Sequence, residues 1–287
     1  MRTSRRRLLL RRAVVVLLVS GLVVALVVAV RRATRPAPTV ACEATVGGRT
    51  VTLTPEQAGN AGTIAGVAVR RGLPARAVTI ALATALQESK LVNVRYGDRD
   101  SLGLFQQRPS QGWGTTAQVL DPVHATNAFY DALVQVDGYR TRPITQVAQR
   151  VQRSGFPEAY AQHEDEARVL ASALSGSSPA ALVCVLDPGR RASGRAGLPA
   201  LRAALAREQP AATTRLLTSG VRLTPSRPWA AAQWAVARSD QLGVSRVYVG
   251  ARLWSRAHGE RGWTTTRGSG VRPGEVVVML TDAAPGP

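Results

Sequence analysis

Histidine, lysine and cysteine are scarce in this chain of 287 residues, and each scarcity removes a class of chemistry. The three histidines, His124, His163 and His258, are widely separated and have no cysteine cluster beside them. No ligand spacing for a structural zinc ion results, so no metal is expected. The single lysine, Lys90, does not close a Gly-rich phosphate loop, and no Gly-x-Ser-x-Gly segment marks a nucleophilic serine. Nucleotide and serine-hydrolase readings therefore have no foothold, and no cofactor is expected.

Only two cysteines occur, Cys42 and Cys184. In an oxidising compartment they pair, and closing a loop of this length lowers the unfolded-state entropy by roughly 5 kcal/mol in the chain-entropy model. That predicts a covalently closed domain from 42 to about 184; the alternative is a pair of unlinked buried thiols.

Acidic residues are absent from the first 41 positions, which carry nine arginines. Within them, Ala13 to Val30 is an unbroken apolar run long enough to cross a bilayer as a helix. Six arginines precede it (Arg2, Arg5, Arg6, Arg7, Arg11, Arg12) and three follow (Arg31, Arg32, Arg35), which places the N-terminus in the cytoplasm and the bulk of the chain outside. The competing reading is a cleaved export signal, because Ser4-Arg5-Arg6-Arg7-Leu8-Leu9 resembles a twin-arginine signal. Against cleavage stand the length of the run and the arginines after it, with no small-residue cleavage pattern. Cys42 as a lipidation site is disfavoured by the three arginines between it and the run.

The formal net charge of +19 is unevenly spread. Residues 42–184 hold 13 basic and 12 acidic side chains, whereas residues 185–287 hold 15 and 6. Nucleic acid is not an expected partner for an exported chain. A basic outer module is instead attracted to anionic membrane lipids or acidic wall polymers, or is simply a solvated surface. The dominance of arginine fits a GC-rich coding sequence as well as it fits anion binding.

Between the cysteines the pattern is helical. Thr54-Pro55-Glu56-Gln57 opens a helix running to about Arg71, stopped by Gly72. Leu73-Pro74 opens a second, Ala75 to Leu86, in which nearly every side chain is apolar or small, so it belongs inside a fold. Further helices are expected over Asp121–Gln135, Ile144–Arg153 and Glu158–Ser175. Asn93 to Gly114, rich in glycine, reads as turns or a β-like flap. After a basic linker (185–197), Leu198–Glu208 and Trp229–Leu242 read as helices and Val244–Val249 and Glu275–Leu280 as strands. Four of the five tryptophans, Trp229, Trp234, Trp254 and Trp263, fall in this unit. Either they fill a small core or they present a wall-polymer binding face.

Glu88 stands in the last turn of the apolar helix, where the negative end of the helix dipole and low solvation both disfavour a carboxylate. Its pKa is expected to be raised, as protonating a glycosidic oxygen requires. An acid on a solvated helix end is the plain alternative.

Glu88-Ser89 followed by Gly103-Leu104-Phe105-Gln106 resembles the Glu-Ser and Gly-Leu-Met-Gln signatures of the lytic transglycosylase and goose-type lysozyme superfamily. Gly97-Asp98-Arg99 is similar to the Gly-Asp-Arg segment of goose-type lysozymes, whose Asp helps place water. The resemblance covers roughly residues 60 to 175. It implies a mainly α, lysozyme-like domain (42–184), followed by a small α/β C-terminal domain (198–287). It also implies Glu88 as catalytic acid and a sugar cleft lined by the Gly103–Gln106 strand. Candidate substrate contacts are Asp98, Ser101, Gln106, Gln107 and Trp113, the last as a sugar platform or a core ring. The third family signature, Ala-Tyr-Asn-x-Gly, has its counterpart in Val151–Tyr160, with Ser154 where Asn is expected and Tyr160 within reach of the site.

The implied substrate is peptidoglycan, reached from the cytoplasmic membrane. Inverting hydrolysis needs a separate base about 6.5–9.5 Å from the acid, whereas lytic transglycosylases use one Glu as acid and then base. Asp98 and Asp100 are the only acids near Glu88 in sequence, both in a turn, so transglycosylation is favoured over hydrolysis. A non-catalytic, lysozyme-like wall-binding or scaffold protein is the alternative function.

Overall fold

The computed structural model of the protein describes residues 39–153, 158–187, 197–209 and 213–280. The 1–12 tail, the 13–30 apolar run, most of the 185–197 linker and Ser154 lie outside the described residues. Among the described residues no helix is long and apolar enough to cross a membrane.

The chain begins its described course with a hairpin, β1 (Ala41–Val46) and β2 (Arg49–Leu53). Its two turn residues, Gly47 and Gly48, both have positive φ, as a type I′ turn demands. Five helices follow: α1 (Pro55–Arg70), α2 (Ala75–Ser89), the single turn α3 (Thr116–Val119), α4 (Pro122–Val134) and α5 (Ile144–Gln152). A 3-10 turn at Ala161–His163 leads into α6 (Glu164–Leu174), so the helix expected from Glu158 starts six residues later. Strand β3 (Leu182–Val185) then returns antiparallel to β1, giving a three-stranded sheet in the order β2-β1-β3. This pairing sets Cys42 opposite Cys184, and the two are joined by a disulfide.

The second half contributes α7 (Leu198–Glu208), β4 (Thr213–Leu217), β5 (Gly220–Thr224), α8 (Pro228–Ala237), α9 (Ser239–Leu242), β6 (Val244–Val249), β7 (Arg252–Ser255), β8 (Thr264–Thr265) and β9 (Val276–Leu280). Its six strands form one antiparallel sheet in the order β4-β5-β9-β6-β7-β8. A mainly α lysozyme-like domain followed by a small α/β one is therefore corrected to a mixed α/β fold with two antiparallel sheets. The physical reason lies in strands too short to read as sheet. In β1 Cys42 and Ala44 are buried and Val46 packs half-buried on the core, while Glu43 and Thr45 are exposed, so the alternation spans just two periods.

The two halves share a core centred on α1. Its start is fixed by a capping box, in which Thr54 Oγ1 accepts from the Gln57 amide (3.2 Å) and Gln57 Oε1 accepts from the Thr54 amide (2.8 Å). Every residue from Ala58 to Val69 is buried, because α1 packs on α2, α4 and α6 and also on α7, α8 and α9. Gly66 is what lets α7 and α8 approach: a Cβ there would lie 2.7 Å from the Glu208 carbonyl oxygen and 3.0 Å from the Trp234 ring. Beside it the buried Glu208 carboxylate accepts from Trp234 Nε1 (2.9 Å), Thr63 Oγ1 (3.0 Å) and Arg238 (3.1 Å), an acid paid for by three donors.

The tryptophans follow the core account rather than the binding-face one. Trp234, Trp254 and Trp263 are buried, and their indole N–H groups donate to Glu208, the Cys184 carbonyl and the Leu182 carbonyl. Trp229 is half-buried, edge-on to Trp263 at 5.1 Å. Gln233 completes the seam, accepting from the Leu182 amide (2.8 Å) and donating to the Ala173 carbonyl (2.6 Å).

Gly66→Val drives a branched side chain into the Glu208 backbone and should destabilise the fold by about 2 kcal/mol through overpacking. Urea unfolding checks this; a variant as stable as the parent contradicts the close approach of α1, α7 and α8.

Candidate active site

Helix α2 is buried continuously from Ala77 to Leu86 and emerges at its C-terminal end at Gln87, Glu88 and Ser89. Its end is held hard. Lys90 and Leu91 both adopt left-handed backbone (φ 56° and 59°), which costs a non-glycine residue about 1–2 kcal/mol. The carbonyls they present are taken up by α1: Gln57 Nε2 donates to the Lys90 oxygen (2.8 Å) and Asn60 Nδ2 to the Leu91 oxygen (2.7 Å). Ser89 Oγ donates to the Leu104 carbonyl at 2.8 Å, tying the helix end to the following hairpin.

Glu88 is half-buried, and Tyr160 Oη donates to its Oε1 at 2.7 Å. Gln152, the last residue of α5, also hydrogen-bonds Glu88 through its side chain, and its Nε2 donates to the Phe105 carbonyl at 2.7 Å. Burial raises the Glu88 pKa above the ordinary carboxylate value, while the hydrogen bonds from Tyr160 and Gln152 pull it partly back. The raised pKa expected from the sequence is present, with desolvation as its main cause.

The flap is a tight hairpin closed by a Leu102–Gln107 bridge. Leu104 and Phe105 point into the core, with Phe105 stacked on Phe129 at 4.6 Å. Gln106, at φ 47°, keeps its amide close to the Tyr96 and Gly103 carbonyls (3.4 and 3.3 Å). Gly97 presses on it so closely that a Cβ would lie 1.9 Å from Gln106 Oε1. Asp98 is solvent-exposed, with Arg99 Nε at 4.0 Å. Asp100 accepts from the Ser110 amide (2.8 Å), Arg108 Nε (2.7 Å) and Ser110 Oγ (3.0 Å), bonds that hold its carboxyl far below the usual carboxylate range. It fastens the turn, as an Asp in this setting does.

The remaining candidates divide. Tyr160 joins Glu88 directly, and Gln106 belongs to the hairpin that Ser89 and Gln152 hold against it. Ser101 and Gln107 are buried, and Gln107 Nε2 donates to the Ala125 carbonyl (3.1 Å), away from any open surface. Trp113 is half-buried in a groove of about 480 Å³ lined also by Asp131, Arg150, Gln152 and Arg153. Of the groups on Glu88, Gln152 alone also lines that groove. Ser154 lies outside the described residues.

Gln152 is the residue that reading the sequence passed over as a site member. Its signal was a polar side chain closing α5 eight residues before Tyr160. Gln87 carries a second polar cluster: its Oε1 accepts from Gln162 Nε2 (2.9 Å) and lies 3.1 Å from His163 Nε2. Burial lowers the His163 pKa, and Lys90 adds to this, against the opposing pull of Glu166. Among the described residues no group of three or more His, Cys, Asp or Glu side chains comes together as a metal site.

No protein-family model matches the chain, and no curated protein matches its sequence.

Removing the Tyr160 hydroxyl deletes a bond that favours the Glu88 carboxylate, so Tyr160→Phe should move the Glu88 pKa further upward. Carboxyl-carbon NMR titration of the glutamate-labelled protein measures it. A midpoint that stays put or falls contradicts the assignment of that bond.

Proposed function

We propose that the protein cleaves the MurNAc–GlcNAc glycosidic bond of peptidoglycan as a lytic transglycosylase, with Glu88 as its single acid and base. The observation that carries this reading is the half-buried carboxyl of Glu88, raised in pKa yet oriented by Tyr160 Oη at 2.7 Å and by Gln152. The Glu-Ser and Gly-Leu-Phe-Gln motifs, similar to those of the transglycosylase and goose-type lysozyme superfamily, support it.

The chemistry follows from these groups. Protonated Glu88 gives its proton to the glycosidic oxygen as the bond from that oxygen to the muramoyl C1 breaks. The carboxylate left behind is stabilised by the Tyr160 hydroxyl. It then takes the proton of the muramoyl 6-hydroxyl as that oxygen bonds C1, which closes a 1,6-anhydro ring and restores the acid. Tyr160 and Gln152 serve both halves of the cycle, since each favours the carboxylate that acts as the base.

Transglycosylation is preferred to hydrolysis because neither acid of the flap is set up as a second catalytic group. Asp98 faces solvent and Asp100 is committed to Arg108 and Ser110. The apolar run at 13–30, with its flanking arginines, supports a membrane-anchored enzyme whose bulk faces the wall. The non-catalytic wall-binding reading is favoured only by Ser154, which stands where the superfamily has Asn.

Purified peptidoglycan incubated with the protein should release fragments ending in anhydromuramoyl sugars, detected by mass spectrometry. Fragments with free reducing ends alone would establish hydrolysis, and no soluble fragments at all would establish the binding reading.

A further inference from the structure

The groove of about 480 Å³ that holds Trp113 has a composition that proton transfer at Glu88 leaves unexplained. Its apolar lining comes from the half-buried Trp113, Ala128 and Ala132 and from the buried Val151. Two exposed glutamines, Gln111 and Gln135, add amide donors and acceptors. Its charged members are Arg150 and Arg153 at the end of α5, and Asp131 of α4.

These charges are not balanced within the groove. Asp131 is taken up by Arg71, which does not line it, at 2.7 Å. Arg150 and Arg153 are both exposed, and neither forms an ion pair among the described residues. Arg153 also ends α5 in the left-handed conformation (φ 51°), where glycine is the unstrained choice. An arginine there keeps a second guanidinium at the groove despite the strain, and guanidinium groups bind carboxylates with two parallel hydrogen bonds.

We infer that this groove holds the peptide stem of the muramoyl residue, so that the enzyme selects stem-bearing glycan over bare strands. The inference rests on the glycan-cleaving reading of Glu88. Gln152 both lines the groove and hydrogen-bonds Glu88, so the groove adjoins the acid. The stem hangs from the lactyl group of the same sugar whose C1 is attacked, so it leaves the cleft close to that acid. A glycan strand has no charge of its own once its lactyl carboxyls are amide-linked, whereas the stem carries alanine methyls, peptide groups and free carboxylates. The methyls match Trp113 and Val151, the peptide groups match Gln111 and Gln135, and the carboxylates match Arg150 and Arg153.

Isothermal titration calorimetry of the full chain with two soluble GlcNAc–MurNAc disaccharides tests this, one bearing its stem and one stripped to the free lactyl group. Neither contains the scissile MurNAc–GlcNAc bond, and the stripped sugar keeps the lactyl carboxylate, so stem and lactyl group are separated as the source of charge. The stem-bearing sugar should bind at least about tenfold tighter, as charge-assisted hydrogen bonds imply. The double variant Arg150→Gln, Arg153→Gln should erase that advantage while leaving the stripped sugar's affinity and the melting temperature unchanged, both positions being exposed. Arg246→Gln, at an exposed arginine of the second half, should leave the advantage intact. No binding of the stem-bearing sugar, equal affinity for the two, or an advantage that survives the double variant overturns the inference. Glycan release from purified peptidoglycan, read separately, keeps the two readings apart. Release by a protein with no stem preference overturns the groove alone, and a stem preference that the double variant erases, without release, overturns the cleavage reading alone.

Discussion

The structure depends on the burial of helix α2 on almost every side. A helix whose residues from Ala77 to Leu86 are all sequestered has no freedom to rotate or slide, so its last turn is delivered to a fixed place at the edge of the core. That is how a glutamate comes to be half-buried without being lost inside. The break after it is equally determined: two left-handed residues, Lys90 and Leu91, are tolerated because Gln57 and Asn60 of α1 accept the task of satisfying their carbonyls. Leu91 is itself fully buried, which adds an apolar anchor just past the turn.

From that fixed point the surroundings assemble in a short chain of contacts. Ser89 draws in Leu104, Gln152 bridges Phe105 to Glu88, and Tyr160 arrives from the segment before α6. Each contact uses a different element, so the carboxyl is positioned by α2, α5, the flap and the approach to α6 together. Such multiple support is what a group needs if it is to cycle between acid and base without moving. Helix α1 extends the same frame into the second half, where Gly66 and the donors around Glu208 replace a domain linker with a shared core.

Much of this was legible in the sequence, and the reasons for success and failure are physical. Thr54-Pro55 and the stop at Gly72 bound α1 because caps and glycine act locally, and Asp121 and Gly243 bound α4 and α9 for the same reason. The apolar run Ala75–Leu86 announced a buried helix and so the special setting of Glu88. The three-stranded sheet was not legible, since its pairing brings Ala41–Val46 beside Leu182–Val185, 142 positions apart at the cysteines, and the strands alternate too briefly to stand out. The same limit applied within the site. Gln107 looks like Gln106 in sequence but is turned to the Ala125 carbonyl, and Gln152 reaches Glu88 only because α5 is folded back against α2.

The central claim is that Glu88 supplies and recovers the proton of the cleaved bond. The most direct measurement is the initial rate of glycan release from purified peptidoglycan by Glu88→Gln beside the parent, with matched melting temperatures to show that both are folded. Glutamine keeps the shape but can neither give up the carboxyl proton nor act as the base, so the rate should drop by about 10²–10⁴-fold or vanish. Digestion at the parent rate contradicts the account.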